Sequence, residues 1–108
     1  MDNARSRFRL PIQRRGFLTL GNRTILCEVR DLTEQGVQFT ADHPMSVGET
    51  TRIEMQLDGE SLVHGELLII HARDGRYGGR LTRMSPEDRR ALAQYVERVL
   101  SRCFATTP

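Results

Sequence analysis

The chain has 108 residues, of which 38% are hydrophobic and 28% charged, and its formal net charge is +2. This length fits one domain with a modest core and excludes two, and so small a net charge does not favour general nucleic-acid binding. No apolar run approaches the roughly 20 residues that span a bilayer, and no secretory signal follows the N-terminus. We therefore expect a cytoplasmic protein without membrane insertion.

The first thirteen residues predict a flexible N-terminal arm rich in arginine. All 16 basic residues of the chain are Arg, and five of them lie within the first fifteen positions, at Arg5, Arg7, Arg9, Arg14 and Arg15. Pro11 disfavours a helical conformation for the residue before it, so the segment is expected to run extended. Such a tail is a candidate for ordering on binding. We place the arm at residues 1–13 and a folded domain at residues 14–104.

The next part of the chain predicts six short β-strands. Ile25, Cys27 and Val29 alternate with less apolar neighbours, which is the period of a strand with one buried face. The predicted strands cover residues 16–20, 24–30, 37–39, 53–57, 62–72 and 77–81, with turn signals at Gly21-Asn22, Asp58-Gly59 and Asp74-Gly75. Short strands with turns this regular favour a mainly β fold, an antiparallel barrel or sandwich.

A C-terminal helix is predicted over about residues 86–103. Ser85 suits the N-cap and Pro86 the first helical position, and acidic side chains follow in the first turn. Apolar side chains then recur at helical spacing, at Leu92, Val96, Val99, Leu100 and Cys103. A helix with one apolar face needs an apolar surface to cover, and the side or open end of the barrel offers it.

Nothing in the sequence indicates catalysis. The chain has no nucleophile-elbow, P-loop or dinucleotide-binding glycine motif, and its carboxylates do not pair for acid/base work. His43, His64 and His71 share no metal-ligand spacing, and Cys27 and Cys103 are expected to be core or half-buried residues. We predict no enzyme activity, no catalytic residue, no metal and no cofactor.

Two motifs carry the functional prediction. One is Arg5-x-x-x-Arg9 in the arm, and the other is Asp31-x-Thr33-x-x-Gly36 between two predicted strands. Alone, the first is compatible with a solvated tail and the second with a tight turn, in which Gly36 would accept a positive φ. About one hairpin separates them, so the strands can bring the arm back to the turn. Guanidinium groups beside a carboxylate and a hydroxyl suit a guanine nucleotide.

With these motifs in this order, the sequence resembles the PilZ family. That family has Arg-x-x-x-Arg near its start and Asp/Asn-x-Ser-x-x-Gly about one hairpin later. The likeness continues through Pro44–Gly48, Tyr77–Leu81 and Ser85–Arg89, and it covers roughly residues 5–100. The resemblance implies a six-stranded antiparallel PilZ-type β-barrel with a flexible N-terminal arm and a C-terminal α-helix.

The resemblance also implies a ligand, cyclic di-GMP. Arg5 and Arg9 would clamp its phosphates and guanine edges, with Arg7 as a possible helper from the same arm. Asp31 would accept from guanine N–H groups, Thr33 would donate to the ligand, and Gly36 would let the backbone turn beneath it. Thr33 departs from the usual serine, and its added methyl group is expected to weaken binding without abolishing it.

The implied role is that of a receptor and adaptor. Ligand binding would order the arm and change a surface offered to an unidentified effector protein in trans, so regulating motility, pili, biofilm or exopolysaccharide. One alternative is a PilZ-like interaction module that binds a partner without nucleotide. Another is a small barrel that binds RNA or DNA through its arginines, which the absence of Trp and an aromatic content of 6% do not favour.

Overall fold

The computed structural model describes residues 10–58 and 61–105, which form one β-barrel and one helix. The strands are β1 (Leu10–Leu20), β2 (Arg23–Leu32), β3 (Gly36–Ala41), β4 (Thr50–Asp58), β5 (Ser61–Arg73) and β6 (Arg76–Arg83), and the helix is α1 (Pro86–Ala105). All neighbouring strands are antiparallel, in the order β1-β2-β3-β6-β5-β4, and β4 pairs with β1 to close the barrel. The six predicted strands and the helix are confirmed.

Two hairpin turns follow directly from local sequence. Gly21 opens the β1–β2 turn with φ at 66°, the conformation that a glycine at the first central position of a two-residue turn supplies. In the β5–β6 turn, Asp74 and Gly75 both have positive φ, at 53° and 78°. Asp-Gly is the preferred pair for that geometry, whose twist matches the flanking strands.

The barrel interior is filled by alternate side chains of every strand. Leu18, Val29, Phe39, Ile53 and Leu67 are at most 1% exposed, and they come from five different strands. Because successive side chains of a strand point to opposite faces, one interior residue from each strand leaves its neighbours on the outer face. The outer face is therefore the surface on which a site can be built.

The helix covers one end of this core. Its first turn is capped by Ser85, whose hydroxyl accepts the Asp88 N–H at 3.0 Å and donates to the Asp88 carboxylate at 2.9 Å. Leu92 is fully buried, and Tyr95 and Val96 are nearly so. The predicted cap and apolar face are confirmed, and the helix extends to Ala105, beyond the predicted end at residue 103.

Strand β1 begins four residues before the start predicted for the folded domain. Residues 10–13 were assigned to the arm, but β1 begins at Leu10, which pairs with Leu32, and Pro11 pairs with Asp31. A proline fits here because the β1–β2 ladder is irregular between Pro11 and Arg14, and a strand tolerates proline where ladder bonds are already missing.

A buried tyrosine holds the loop between β3 and β4 to the barrel. The Tyr77 hydroxyl donates to the His43 carbonyl oxygen at 2.8 Å and accepts the Met45 N–H at 3.2 Å. Its ring stacks on Phe39, with the ring centroids 5.5 Å apart. A buried hydroxyl with both partners satisfied fixes the loop without an uncompensated polar group.

Candidate functional site

The turn between β2 and β3 is organised by the side chain of Thr33. Its hydroxyl oxygen accepts the N–H groups of Gln35 at 3.0 Å and Gly36 at 2.9 Å. The backbone closes the same turn, since the Thr33 N–H donates to the Gly36 carbonyl oxygen at 3.0 Å. The threonine hydroxyl also donates to that carbonyl across a long 3.4 Å. Thr33 therefore shapes the turn, a use of a hydroxyl common in tight connections.

Gly36 is required by the close approach of two strands. The turn was predicted to need glycine for a positive φ, and this reason is wrong, because among the described residues the positive-φ glycines are Gly21, Gly48 and Gly75. A Cβ on Gly36 would instead lie 2.8 Å from the Gly79 carbonyl oxygen of β6. Only a residue without a side chain allows this approach.

A bulge in β2 directs Asp31 to the outer face. The β2–β3 register shifts between Val29 and Asp31, so Arg30 is the extra residue that a bulge inserts. Val29 and Leu32 on either side are fully buried, whereas Arg30 is exposed and Asp31 is half-buried. The bulge keeps both apolar side chains in the core and leaves the carboxylate on the outside.

The carboxylate of Asp31 is available for a ligand as far as the described residues go. Within residues 10–58 and 61–105 it makes no hydrogen bond and no ion pair. Its neighbours in the ladders are Pro11 on β1 and Gln38 on β3. A half-buried carboxylate with open acceptor positions is suited to paired N–H donors such as those of guanine.

The structure brings together only part of the predicted site. Asp31, Thr33 and Gly36 lie within six residues of chain at one end of the β2–β3 hairpin. Arg5, Arg7 and Arg9 lie outside the described residues. The turn between β2 and β3 that carries Thr33 and Gly36 is called the motif turn below. The first described residue, Leu10, pairs with Leu32, so β1 begins directly beside this turn.

A wide groove lies further along the same hairpin, away from the turn that carries Thr33 and Gly36. It has a volume of about 880 Å³ and runs across β1, β2 and β3, with Gln56 of β4 at its margin. Arg15 and Thr40 flank Glu28 in adjacent ladder pairs. The groove is lined by Gln13, Arg14, Arg15, Leu26, Cys27, Glu28, Thr40, Ala41, Asp42 and Gln56. Of these residues, Arg15 pairs with the outward Glu28 and so lies on the same face as Asp31, three residues further along the hairpin.

Sequence reasoning missed the outer-face residues of β3 and β6, above all Gln38 and Arg80. Gln38 pairs with Asp31, and Arg80 pairs with Gly36. No local motif marks them, because their position depends on how β6 inserts beside β3 in the closed barrel. The bulge in β2 sets the pairing of Asp31 with Gln38, and no local sequence pattern predicts it.

The Cys27 thiol is buried among the core side chains. Burial raises the pKa of the Cys27 thiol to about 12, so at neutral pH it stays protonated and unreactive. In the described ranges, no group of His, Cys, Asp and Glu side chains is placed to hold a metal ion. No helical segment of that part combines the length and apolar character of a membrane span.

Comparison with known families gives one match over most of the chain. The family described as the PilZ domain matches residues 3–98. None of the curated protein sequences matches.

Three solved structures share the fold at low sequence identity. The Bacillus subtilis inhibitor of motility, MotI/DgrA, has 18% identity and a TM-score of 0.72 over 86% of this chain, which spans only 49% of that one. The PilZ domain of YcgR from Escherichia coli, solved with c-di-GMP, has 20% identity and a TM-score of 0.69, covering 94% of this chain and 96% of the other. An uncharacterized Legionella protein has 14% identity and a TM-score of 0.57, covering 88% and 96%.

Proposed function

The chain belongs to the PilZ domain family, and from this premise we propose that it is a receptor for cyclic di-GMP that acts on an effector protein in trans. PilZ domains are regulatory receptor or adaptor modules. The observation that carries the proposal is the outward Asp31 carboxylate, which lies in the β2 ladder opposite Pro11, two residues after Arg9 in the chain. Within the described residues this carboxylate has no partner.

The arm arginines supply the cationic half of the proposed site. Arg9 precedes Leu10 in the chain, and consecutive Cα atoms are about 3.8 Å apart. Since Leu10 pairs with Leu32, the strand that follows Arg9 in the chain begins beside the motif turn. Arg9 and Arg5, with Arg7 as a possible helper, would fork onto phosphate oxygens and the O6/N7 edge of guanine.

The turn supplies the anionic half. Asp31 would accept the N1–H and N2–H of guanine on its opposite edge, which only an acceptor can do. Thr33 already accepts two backbone N–H groups and makes one long hydrogen bond as a donor. A ligand oxygen would compete with the Gly36 carbonyl oxygen for the hydrogen of the Thr33 hydroxyl. Threonine can therefore still donate to the ligand in the place where the family usually has serine. Gly36 offers backbone without a side chain beneath the ligand.

The proposed effect on a partner follows from the coupling between ligand binding and the state of the arm. A ligand shifts the arm between free and bound states only by its preference for the bound state. Cyclic di-GMP that contacts both the arm and the turn binds better when the arm is closed over it. The resulting change of surface would be read by the effector, in control of motility, pili, biofilm or exopolysaccharide, and a cytoplasmic location is part of the proposal.

Calorimetry with purified protein tests the site. We expect wild-type protein to bind cyclic di-GMP and Asp31→Ala to bind about tenfold or more weakly, because a charged hydrogen-bond acceptor is removed. Asp74→Asn is the matched control, since Asp74 lies in the β5–β6 turn with its side chain 92% exposed. Absence of binding by the wild type at high micromolar ligand, or equal binding by Asp31→Ala, overturns the proposal.

A second candidate is a partner-binding module that does not use nucleotide. It is favoured by two exposed apolar side chains, Val47 at 62% and Ile70 at 53%. Their segments are joined, because the Gly48 N–H donates to the Ile69 carbonyl oxygen at 2.8 Å. Exposed apolar groups that lie together favour a protein contact. A stable complex with an effector whose affinity is the same with and without cyclic di-GMP would decide for this function.

A further inference from the structure

Strand β6 places an arginine directly against the motif turn. Arg80 pairs with Gly36 in the β3–β6 ladder, and its Cα lies 4.0 Å from the point that a Cβ on Gly36 would occupy. The next residue of β6 is tied to the same turn, because the Leu81 N–H donates to the Gln35 carbonyl oxygen at 2.8 Å. The backbone that carries Arg80 is therefore fixed relative to Thr33 and Gly36.

The side chain of Arg80 points to the outer face. On one side of it, a Cβ on Gly79 would lie 2.5 Å from Leu67 in the core, and on the other side Leu81 is only 7% exposed. Because side chains alternate along a strand, Arg80 lies between two inward positions and faces outward. It is exposed, as the outer face requires.

Asp31 and Arg80 flank β3 from its two sides. Asp31 pairs with Gln38, and Arg80 pairs with Gly36, two residues earlier on the same strand. From the spacing of strands and residues in a sheet, their Cα atoms are about 12 Å apart. This separation is too long for an ion pair between them, and it leaves room for a ligand that contacts both.

The guanidinium of Arg80 is open to a ligand. Within the part of the chain that the structure describes, it makes no hydrogen bond or ion pair. Its ladder partner Gly36 has no side chain to cover it. Five N–H donors in a planar fork suit a phosphate oxygen or the O6/N7 edge of guanine.

We propose that Arg80 is a further ligand-binding residue, which contacts cyclic di-GMP from the β6 side of the motif turn while Asp31 contacts it from the β2 side. The inference rests on the proposed function. It assigns part of the cationic surface to the rigid barrel, so binding does not depend on the arm alone. Arg80 would hold an acceptor group of the ligand, either phosphate or guanine.

The test compares two arginines of the same strand. Arg76 also faces outward and is exposed, but it pairs with Thr40 at the other end of β3. We expect Arg80→Ala to weaken cyclic di-GMP binding in calorimetry about tenfold to a hundredfold, and Arg76→Ala to bind as the wild type does. The thermal midpoint without ligand should be the same in both variants, which separates a ligand contact from a structural role.

A third variant, Arg80→Lys, identifies the contacted group. Lysine keeps the charge and loses the fork, so near-normal binding indicates phosphate and a loss like that of Arg80→Ala indicates the guanine edge. Equal affinity of Arg80→Ala and wild type, with Asp31→Ala impaired, overturns this inference alone. No binding by the wild type overturns the proposed function as well.

Discussion

The hydroxyl oxygen of Thr33 lies 2.9 Å from the backbone nitrogen of Gly36 and accepts its hydrogen bond. The same oxygen accepts the Gln35 N–H, so one side chain satisfies two donors of the turn that carries the motif. The hydroxyl is thus a structural element before it is a ligand contact, and its removal has a consequence in the absence of ligand.

We predict that Thr33→Val destabilises the protein and Thr33→Ser does not. Valine leaves two backbone N–H groups without their acceptor, at a cost of about 1–2 kcal/mol in the free energy of unfolding, whereas serine keeps the oxygen. Urea denaturation measures the difference. Thr24→Val is the control, because Thr24 is an exposed strand residue and such a change alters stability by less than about 0.5 kcal/mol. Equal stability of Thr33→Val and Thr24→Val would contradict this role.

Gly36→Ala is expected to strain the β3–β6 ladder. Its Cβ would lie 2.8 Å from the Gly79 carbonyl oxygen, which is backbone, so the strands must separate. We expect a loss of about 1–3 kcal/mol in the free energy of unfolding, measured by urea denaturation.

Gly78→Ala, in the same ladder, is the matched control for Gly36→Ala. A Cβ there meets only the His71 Cβ, at 3.4 Å, an ordinary contact. The explanation by close approach is wrong if both alanine variants lose the same stability.

Tyr77→Phe should release the loop between β3 and β4. The hydroxyl holds both the His43 carbonyl and the Met45 N–H, and its loss leaves them unpaired at a cost of about 1–3 kcal/mol. Hydrogen exchange at the Met45 amide should become faster. Tyr95→Phe is the control, since Tyr95 is equally buried and its hydroxyl makes no hydrogen bond within the described residues. Unchanged exchange in Tyr77→Phe would refute the prediction.

Cys27 should make stability fall at alkaline pH. Burial raises its pKa from 9.0 to about 12, so the folded state holds the proton more tightly than the unfolded state. Its contribution is complete below pH 9 and is lost as the pH rises towards 12. Urea denaturation at pH 8 and pH 10.5 should show a smaller loss of stability in Cys27→Ala than in the wild type. The same loss in both proteins would contradict the assignment.

Local chemistry made much of the fold predictable from the sequence. The turns at Gly21 and Asp74-Gly75 and the cap at Ser85 each depend on a few adjacent residues, and all have the expected geometry. The alternation of Ile25, Cys27 and Val29 also predicted the inner face of β2. In these places the side chains that decide the structure are neighbours in the chain.

The features that could not be predicted from the sequence depend on contacts between residues that are far apart in the chain. The need for glycine at position 36 comes from Gly79, which belongs to a strand more than forty residues later. The proximity of Arg80 to the turn has the same origin. The start of β1 at Leu10 depends on pairing with Leu32, which offsets the poor strand character of Pro11. All three features depend on the pairing register between strands of the barrel, which no local sequence pattern predicts.

The bulge at Arg30 changes which residues of β2 face the core. Before it, odd-numbered residues face the core, and after it even-numbered ones do, as fully buried Val29 and Leu32 demonstrate. A regular strand through the same residues, without the bulge, would turn Leu32 to solvent and put Asp31 in the core, where an unpaired carboxylate is costly. The outward position of Asp31 therefore depends on the change of alternation at Arg30 as much as on the residues themselves.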